Sequence, residues 1–139
     1  MQWDSSKHAG FTSAEKPWMT VNPGYTVVNA AAQLDDPNSV FSCRQAVLEA
    51  RKRYKDIVVY GRFDLVDENN DKIFAYSRTS PDGRVLAVCN FSAETVEWVS
   101  ISATVQEVIV TTTGRPREGL QRGEIQLEPF EAIALLVTE

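Results

Sequence analysis

Ile73-Phe74-Ala75-Tyr76-Ser77-Arg78-Thr79, then Ser80-Pro81-Asp82-Gly83, then Val85-Leu86-Ala87-Val88-Cys89-Asn90-Phe91 is the stretch that decides the fold of this chain. The first run alternates. Ile73, Ala75 and Ser77 fall on one face of an extended segment and Phe74, Tyr76 and Arg78 on the other, because successive strand side chains point to opposite sides. Pro81 fixes φ and Gly83 accepts φ > 0, so the four residues between the runs read as a tight turn. The second run is nearly all apolar, as expected for a strand covered on both faces.

Working outward, the same alternation of short β-rich runs and turn residues continues in both directions. Downstream, strands are expected at Val96–Ile101, Val105–Thr111, Glu124–Leu127 and Ala132–Val137, punctuated by Thr113-Gly114-Arg115-Pro116 and Gln121-Arg122-Gly123. Upstream, Ile57-Val58-Val59-Tyr60 is β-branched and aromatic and is read as a strand, with Gly61 as a bend before a further strand over Arg62–Val66. Asp67-Glu68-Asn69-Asn70-Asp71 is a polar turn. Short strands at this spacing predict a mainly β fold, an antiparallel sandwich over residues 56–139.

Before it the pattern is helical. Pro37 bars extension upstream, Asn38 or Ser39 can cap, and Val40, Phe41, Val47, Leu48 and Tyr54 recur at helical spacing, which predicts one helix over 38–55. Residues 1–37 read as an irregular arm, with turn signals at Lys16-Pro17-Trp18, Asn22-Pro23-Gly24-Tyr25 and Asp35-Asp36-Pro37. Trp3, Phe11, Trp18, Met19 and Tyr25 are scattered along the arm. So many large apolar side chains on a long loop call for a packing partner that residues 1–37 do not contain.

Composition removes several classes of function. A net charge of −5 argues against a nucleic-acid surface, which needs clustered cations. The basic group Arg51-Lys52-Arg53 with Lys55 sits at a predicted helix C-terminus, where the helix dipole favours it. No run approaches the ~18 apolar residues of a membrane span, and Met1-Gln2-Trp3-Asp4 does not open a secretory signal. Cys43 and Cys89 lie on different predicted elements, are expected as free thiols, and have no metal-ligand spacing. No metal or cofactor is expected.

Chemistry is also hard to find. Asp67-x-Asn69-x-Asp71 resembles the start of a calcium loop, but Lys72 stands where the turn needs Gly and Arg78 where a bidentate Glu belongs. Asp35, Asp36, Asp56, Asp67, Glu68, Asp71 and Asp82 fall beside turns or helix ends, where local hydrogen bonding favours Asp. With a single histidine, His8, and no Gly-x-Ser-x-Gly elbow, no nucleophile has a supporting base. Neither phosphate-loop nor dinucleotide fingerprints occur. Asn90-Phe91-Ser92 is a glycosylation sequon at the end of a predicted buried strand and is discounted. No catalytic residue is assigned.

The arm nonetheless carries distinctive words. Met1-Gln2-Trp3-Asp4, Ala9-Gly10-Phe11, Lys16-Pro17-Trp18 and Val21-Asn22-Pro23 occur in order. They are followed by Asp36-Pro37-Asn38-Ser39-Val40, Val59-Tyr60-Gly61, Phe74-Ala75-Tyr76 and Val88-Cys89-Asn90-Phe91-Ser92. Together they resemble the C-terminal part of an α-glucosidase of the maltase and oligo-1,6-glucosidase group, glycoside hydrolase family 13 of the α-amylase type. Cys43, Arg44 and Ala50 depart from the aromatics or Leu common in that group's last barrel helix. The resemblance implies a (β/α)₈ barrel followed by an antiparallel C-terminal domain. Residues 1–37 would then be an arm from the end of the barrel, 38–55 its last helix and 56–139 the C-terminal β domain. It further implies retaining hydrolysis of terminal α-linked glucose in maltose- or isomaltose-type oligosaccharides by two carboxylates ~5–5.5 Å apart. Those carboxylates belong to barrel strands preceding Met1, so the chain alone is expected to be inactive.

Gln2 and Trp3 match the loop near the rim of the sugar pocket and are the candidate substrate-rim residues. The implied partners are the catalytic barrel and, for the parent enzyme, its oligosaccharide substrate, with no nucleic acid and no membrane. A homodimer of the isolated chain through surface meant for the barrel is the remaining association expected. Free cysteines and the maltase-like group point to the cytoplasm. The alternative is a carbohydrate-binding or protein-interaction β-sandwich module, with Trp98 and Tyr76 as the aromatics that would stack on sugar.

Overall fold

The computed structural model describes residues 1–99, 103–114 and 124–138. It divides into two compact units, Met1–Gln45 and Ala46–Glu139.

The second unit is the antiparallel sandwich. Strands β1 (Arg62–Val66), β2 (Ile73–Ser80), β3 (Gly83–Asn90), β5 (Thr104–Thr111) and β7 (Ala132–Thr138) form a five-stranded sheet in the order β1-β2-β3-β7-β5. Strands β4 (Val96–Val99) and β6 (Glu124–Leu127) form a two-stranded sheet. The β2–β3 turn closes with Ser80 opposite Gly83, and Gly83 takes φ 141°. Register then places Ile73, Ala75, Ser77, Leu86 and Val88 on one face, where Ile133, Leu135 and Val137 of β7 join them. Trp98 of β4 and Ile125 and Leu127 of β6 complete that core. β3 is buried on both sides at Val85, Leu86, Ala87 and Val88, as its continuous apolar run predicts. Each such Val or Leu side chain contributes about 1.5–3 kcal/mol by leaving water. The predicted strand over Val96–Ile101 is described as far as Val99. Ser100, Ile101, the Arg115-Pro116 step and the Gln121-Arg122-Gly123 turn lie outside the described residues.

Polar groups close the ends of the sandwich. Asn90 is buried, and its Nδ2 donates to the carbonyls of Glu94 (2.7 Å) and Glu128 (2.9 Å) while its Oδ1 accepts from Ser92 N–H and Oγ–H. The Glu131 carboxylate, 1% exposed, accepts from the hydroxyls of Thr111 and Thr113 and from the Glu128 amide. A buried carboxylate with three such donors is compensated for lost hydration. Asp67, at φ 59°, accepts from Trp98 Nε1 (2.9 Å) and Asn70 Nδ2 (2.8 Å), so the calcium-like segment is a hairpin turn pinned to the core.

One predicted strand is overturned. Ile57-Val58-Val59-Tyr60 is not extended: helix α3 spans Lys55–Val58, and the Gly61 amide donates to the Ile57 carbonyl at 3.0 Å. The helical turn buries Ile57 and lays α3 against β2 and β3. Burial there outweighs the strand preference of β-branched residues, which depends on context. Gly61 permits the passage, since a Cβ would lie 2.3 Å from the Ile57 carbonyl oxygen and 2.9 Å from that of Thr79.

The predicted helix is α2, Val40–Arg53. Ser39 stands at its N-cap, with Oγ accepting from the Ser42 amide at 3.1 Å, and Arg51, Lys52 and Arg53 fill its last turn. The arm is less irregular than expected. It holds tight turns at Lys7–Gly10 and Pro23–Thr26 and a short helix α1, Ala30–Leu34.

Candidate functional site

The two residues assigned to the sugar-pocket rim sit in the first unit, on a segment tied to α1. The first turn of a helix leaves its amides without intrahelical acceptors. Here Gln2 O accepts from Ala30 N–H and Trp3 O from Ala31 N–H, both at 2.8 Å, and Asn29 Oδ1 accepts from Ala32 N–H at 2.9 Å. The Gln2 side chain is engaged as well, donating Nε2–H to the Val28 carbonyl at 2.5 Å. Gln2 is therefore held at both backbone and side chain, whereas the Trp3 indole is half exposed.

Beyond Trp3 the loop closes on itself. Trp3 N–H donates to Ala9 O and Ala9 N–H to Ser6 O, each at 2.9 Å. His8, Ala9 and Gly10 all lie at positive φ, 58°, 57° and 66°. Glycine suits the last of these, because a Cβ on Gly10 would come within 2.7 Å of an Asp4 carboxylate oxygen and push that side chain aside. Asp4 in turn accepts from the Ser6 hydroxyl (2.5 Å) and amide (2.8 Å), and these bonds, the hydroxyl's first, hold its carboxyl below the usual carboxylate range. His8 pairs with the Glu15 carbonyl at 3.2 Å.

Two concavities flank this segment, one of about 330 Å³ beside Phe11, Trp18 and Met19, the other of about 390 Å³ beside Val28, Gln33 and Phe41. Met1 and Gln2 line both. Their walls carry no carboxylate pair and no nucleophile with a base. Among the described residues, no group of three or more His, Cys, Asp or Glu side chains converges as a metal site would require. The arrangement can hold a loop at the edge of a binding pocket.

The aromatics assigned to the alternative module are separated by the sheet. Trp98 is 4% exposed in the core with its indole N–H on Asp67, so it offers no ring face to a ligand. Tyr76 lies on the opposite face, between Phe63 (centroids 5.3 Å apart) and Phe74 (5.7 Å). Phe74 is followed edge-on by Phe91 at 6.5 Å. This row of rings was only half visible in the sequence. Alternation put Phe74 and Tyr76 on one face, but Phe63 and Phe91 join them only through register and the end of β3. Cys43 and Cys89 are free thiols, and burial pushes the Cys89 thiol up.

Residues 1–61 match the α-amylase catalytic domain family and residues 63–133 the maltogenic amylase C-terminal domain family. Among curated proteins, the chain is 38% identical over 135 residues to an oligo-1,6-glucosidase of Parageobacillus thermoglucosidasius, covering 95% of this chain and 24% of that protein. It is 39% identical over 138 residues to an α-glucosidase of Schizosaccharomyces pombe, covering 97% and 23%. Among solved structures, it superposes on trehalulose synthase MutB of Pseudomonas mesoacidophila with a TM-score of 0.91 at 30% identity, covering 99% of this chain and 24% of that one. The chain thus spans about a quarter of the length of the relatives it matches.

Proposed function

The chain belongs to the maltogenic amylase C-terminal domain family, and from that premise we propose that it is the C-terminal region of a retaining α-glucosidase acting on maltose- or isomaltose-type oligosaccharides. One observation carries the reading: the passage from catalytic-domain to C-terminal-domain family falls at residues 61–63, shortly after α3, where Gly61 threads past two carbonyls and β1 begins. In this reading α2 is the last helix of a (β/α)₈ barrel, and the sandwich is a non-catalytic domain that stabilises the barrel. Gln2 and Trp3 belong to the loop at the rim of its sugar pocket. Retaining chemistry needs a nucleophilic carboxylate and an acid carboxyl on opposed faces of the glycosidic bond. The clefts lined by Met1 and Gln2 hold no such pair, so in this reading the barrel supplies both. Two free cysteines support a reducing, cytoplasmic location.

The test is an assay of the 139-residue chain and of the complete enzyme on a chromogenic α-glucoside. The chain alone should give no turnover, and the complete enzyme should release the chromophore with retention at the anomeric carbon. Turnover by the chain alone overturns the reading.

A further inference from the structure

The chain turns a corner at Asn29, and that corner presents one acceptor and two donors to Gln2 and Trp3. Asn29 is extended, with φ −150° and ψ 167°, directly before the first turn of α1. On one side of it the Val28 carbonyl accepts from Gln2 Nε2–H. On the other side the Ala30 and Ala31 amides donate to the Gln2 and Trp3 carbonyls. The remaining bond of this segment is local, from Trp3 N–H to Ala9 O. Among the described residues, every hydrogen bond that ties Gln2 or Trp3 to a distant part of the sequence therefore ends on residues 28–31.

The corner depends on the Asn29 side chain. It is 6% exposed, and both ends of its amide are engaged: Oδ1 accepts from Ala32 N–H and Nδ2 donates to the Tyr25 carbonyl, each at 2.9 Å. An extended N-cap residue is kept in register with its helix by such a side-chain bond. Without Oδ1 the Ala32 amide loses its acceptor, the first turn frays, and the Ala30 and Ala31 amides no longer point at fixed carbonyls. Buried and engaged in this way, Asn29 is itself withdrawn from any ligand.

We propose that Asn29 is a positioning residue for substrate binding, setting through this corner where the half-exposed Trp3 indole stands at the rim of the sugar pocket. This rests on the reading of the chain given above. A group at the rim binds ground state and transition state alike, so its displacement moves KM and leaves kcat in place.

The test uses the complete enzyme and a chromogenic α-glucoside. Asn29→Ala should raise KM about fivefold with kcat held within about twofold, and Asn29→Ser, which keeps an acceptor for Ala32 N–H, should return KM to within about twofold of the parent. Trp3→Ala should raise KM as well, and adding Asn29→Ala to it should change KM no further, because both act through one group. A KM that ignores Asn29→Ala or Trp3→Ala, a matching loss of kcat, or additive effects of the two substitutions overturns the inference. Amide hydrogen exchange separates it from the functional reading. Asn29→Ala should speed exchange at Ala30 and Ala31 about fivefold, the loss of one cap, and unchanged exchange there also overturns the inference. A complete protein with that acceleration and no α-glucosidase activity would instead remove the functional reading and leave the hold of Asn29 on Gln2 and Trp3 standing.

Discussion

The two compact units are held together by different means. In Met1–Gln45 the buried residues are Ala9, Asn29 and Ser39, two of them polar, and order comes from hydrogen bonds that cap α1, start α2 and close the Lys7–Gly10 turn. Its large apolar groups point outward: Trp18 is 97% exposed, and Met19, Val27 and Val40 are exposed too. In Ala46–Glu139 the order is reversed, with an apolar core from both sheets and buried polar networks at its ends around Asn90 and Glu131. A hydrogen bond contributes only ~0.5–1.5 kcal/mol net, whereas a buried Leu or Ile contributes ~1.5–3. The second unit therefore has the means to fold by itself. The first has a defined shape with no core, as befits a segment whose stability comes from what it packs against.

Substitutions can break this contrast or sharpen it. The largest effect is expected from Trp98→Ala, which empties the core and leaves the Asp67 carboxylate with Asn70 Nδ2 as its donor. It should lower the unfolding free energy of the sandwich by about 3–5 kcal/mol in denaturant titrations, while Trp98→Phe recovers the packing but not the bond to Asp67. Gly61→Ala comes next. Its Cβ meets backbone atoms on both sides, so the cost should be about 1–3 kcal/mol, read in the same titration. Asn29→Ala in the first unit should cost about 1 kcal/mol locally. Proteolytic cleavage near α1 should speed up about fivefold, with the sandwich midpoint unmoved; a shift of that midpoint would erase the distinction between the units. The smallest effect concerns Cys89. Burial raises its thiol, so at pH 8 iodoacetamide should modify it more slowly than it does glutathione. The folded thiol also keeps its proton longer than the unfolded one, so this group's stabilising contribution is complete below the ordinary thiol range and is lost as pH rises through the elevated value.

Legibility in the sequence followed the same division. Where burial alternates along a strand, as from Ile73 to Ser77, or saturates it, as in Val85–Val88, the pattern of side chains is itself the cause of the fold and can be read directly. Pro81 and Gly83 fix the turn between these strands by their own backbone limits. Ile57 misled because its side chain is buried against β2 and β3 from a helical turn, and a β-branched residue records burial without recording which backbone delivers it. Helix α1 escaped notice because five residues carry no periodicity, and although Asn29 caps it locally, the Ala30 and Ala31 amides are taken by the Gln2 and Trp3 carbonyls, far back in the chain. The same distance hid how Gln2 is held. The aromatic row was half legible: Tyr76 and Phe74 stand two apart on one strand, while Phe63 and Phe91 reach them only across the sheet.

Asn90 has a consequence for how the protein can be made. Its side-chain amide is a keystone between three chain segments, yet the local sequence is one that the oligosaccharyl transferase of a eukaryotic secretory pathway recognises on the unfolded chain. A glycan attached there before folding would occupy the space that Glu94 and Glu128 must enter. Production through a yeast or insect secretion system should therefore yield retained, misassembled protein, and Ser92→Ala, which removes the acceptor sequence while keeping Asn90, should restore export. A single buried amide thereby limits the hosts in which this sandwich can close.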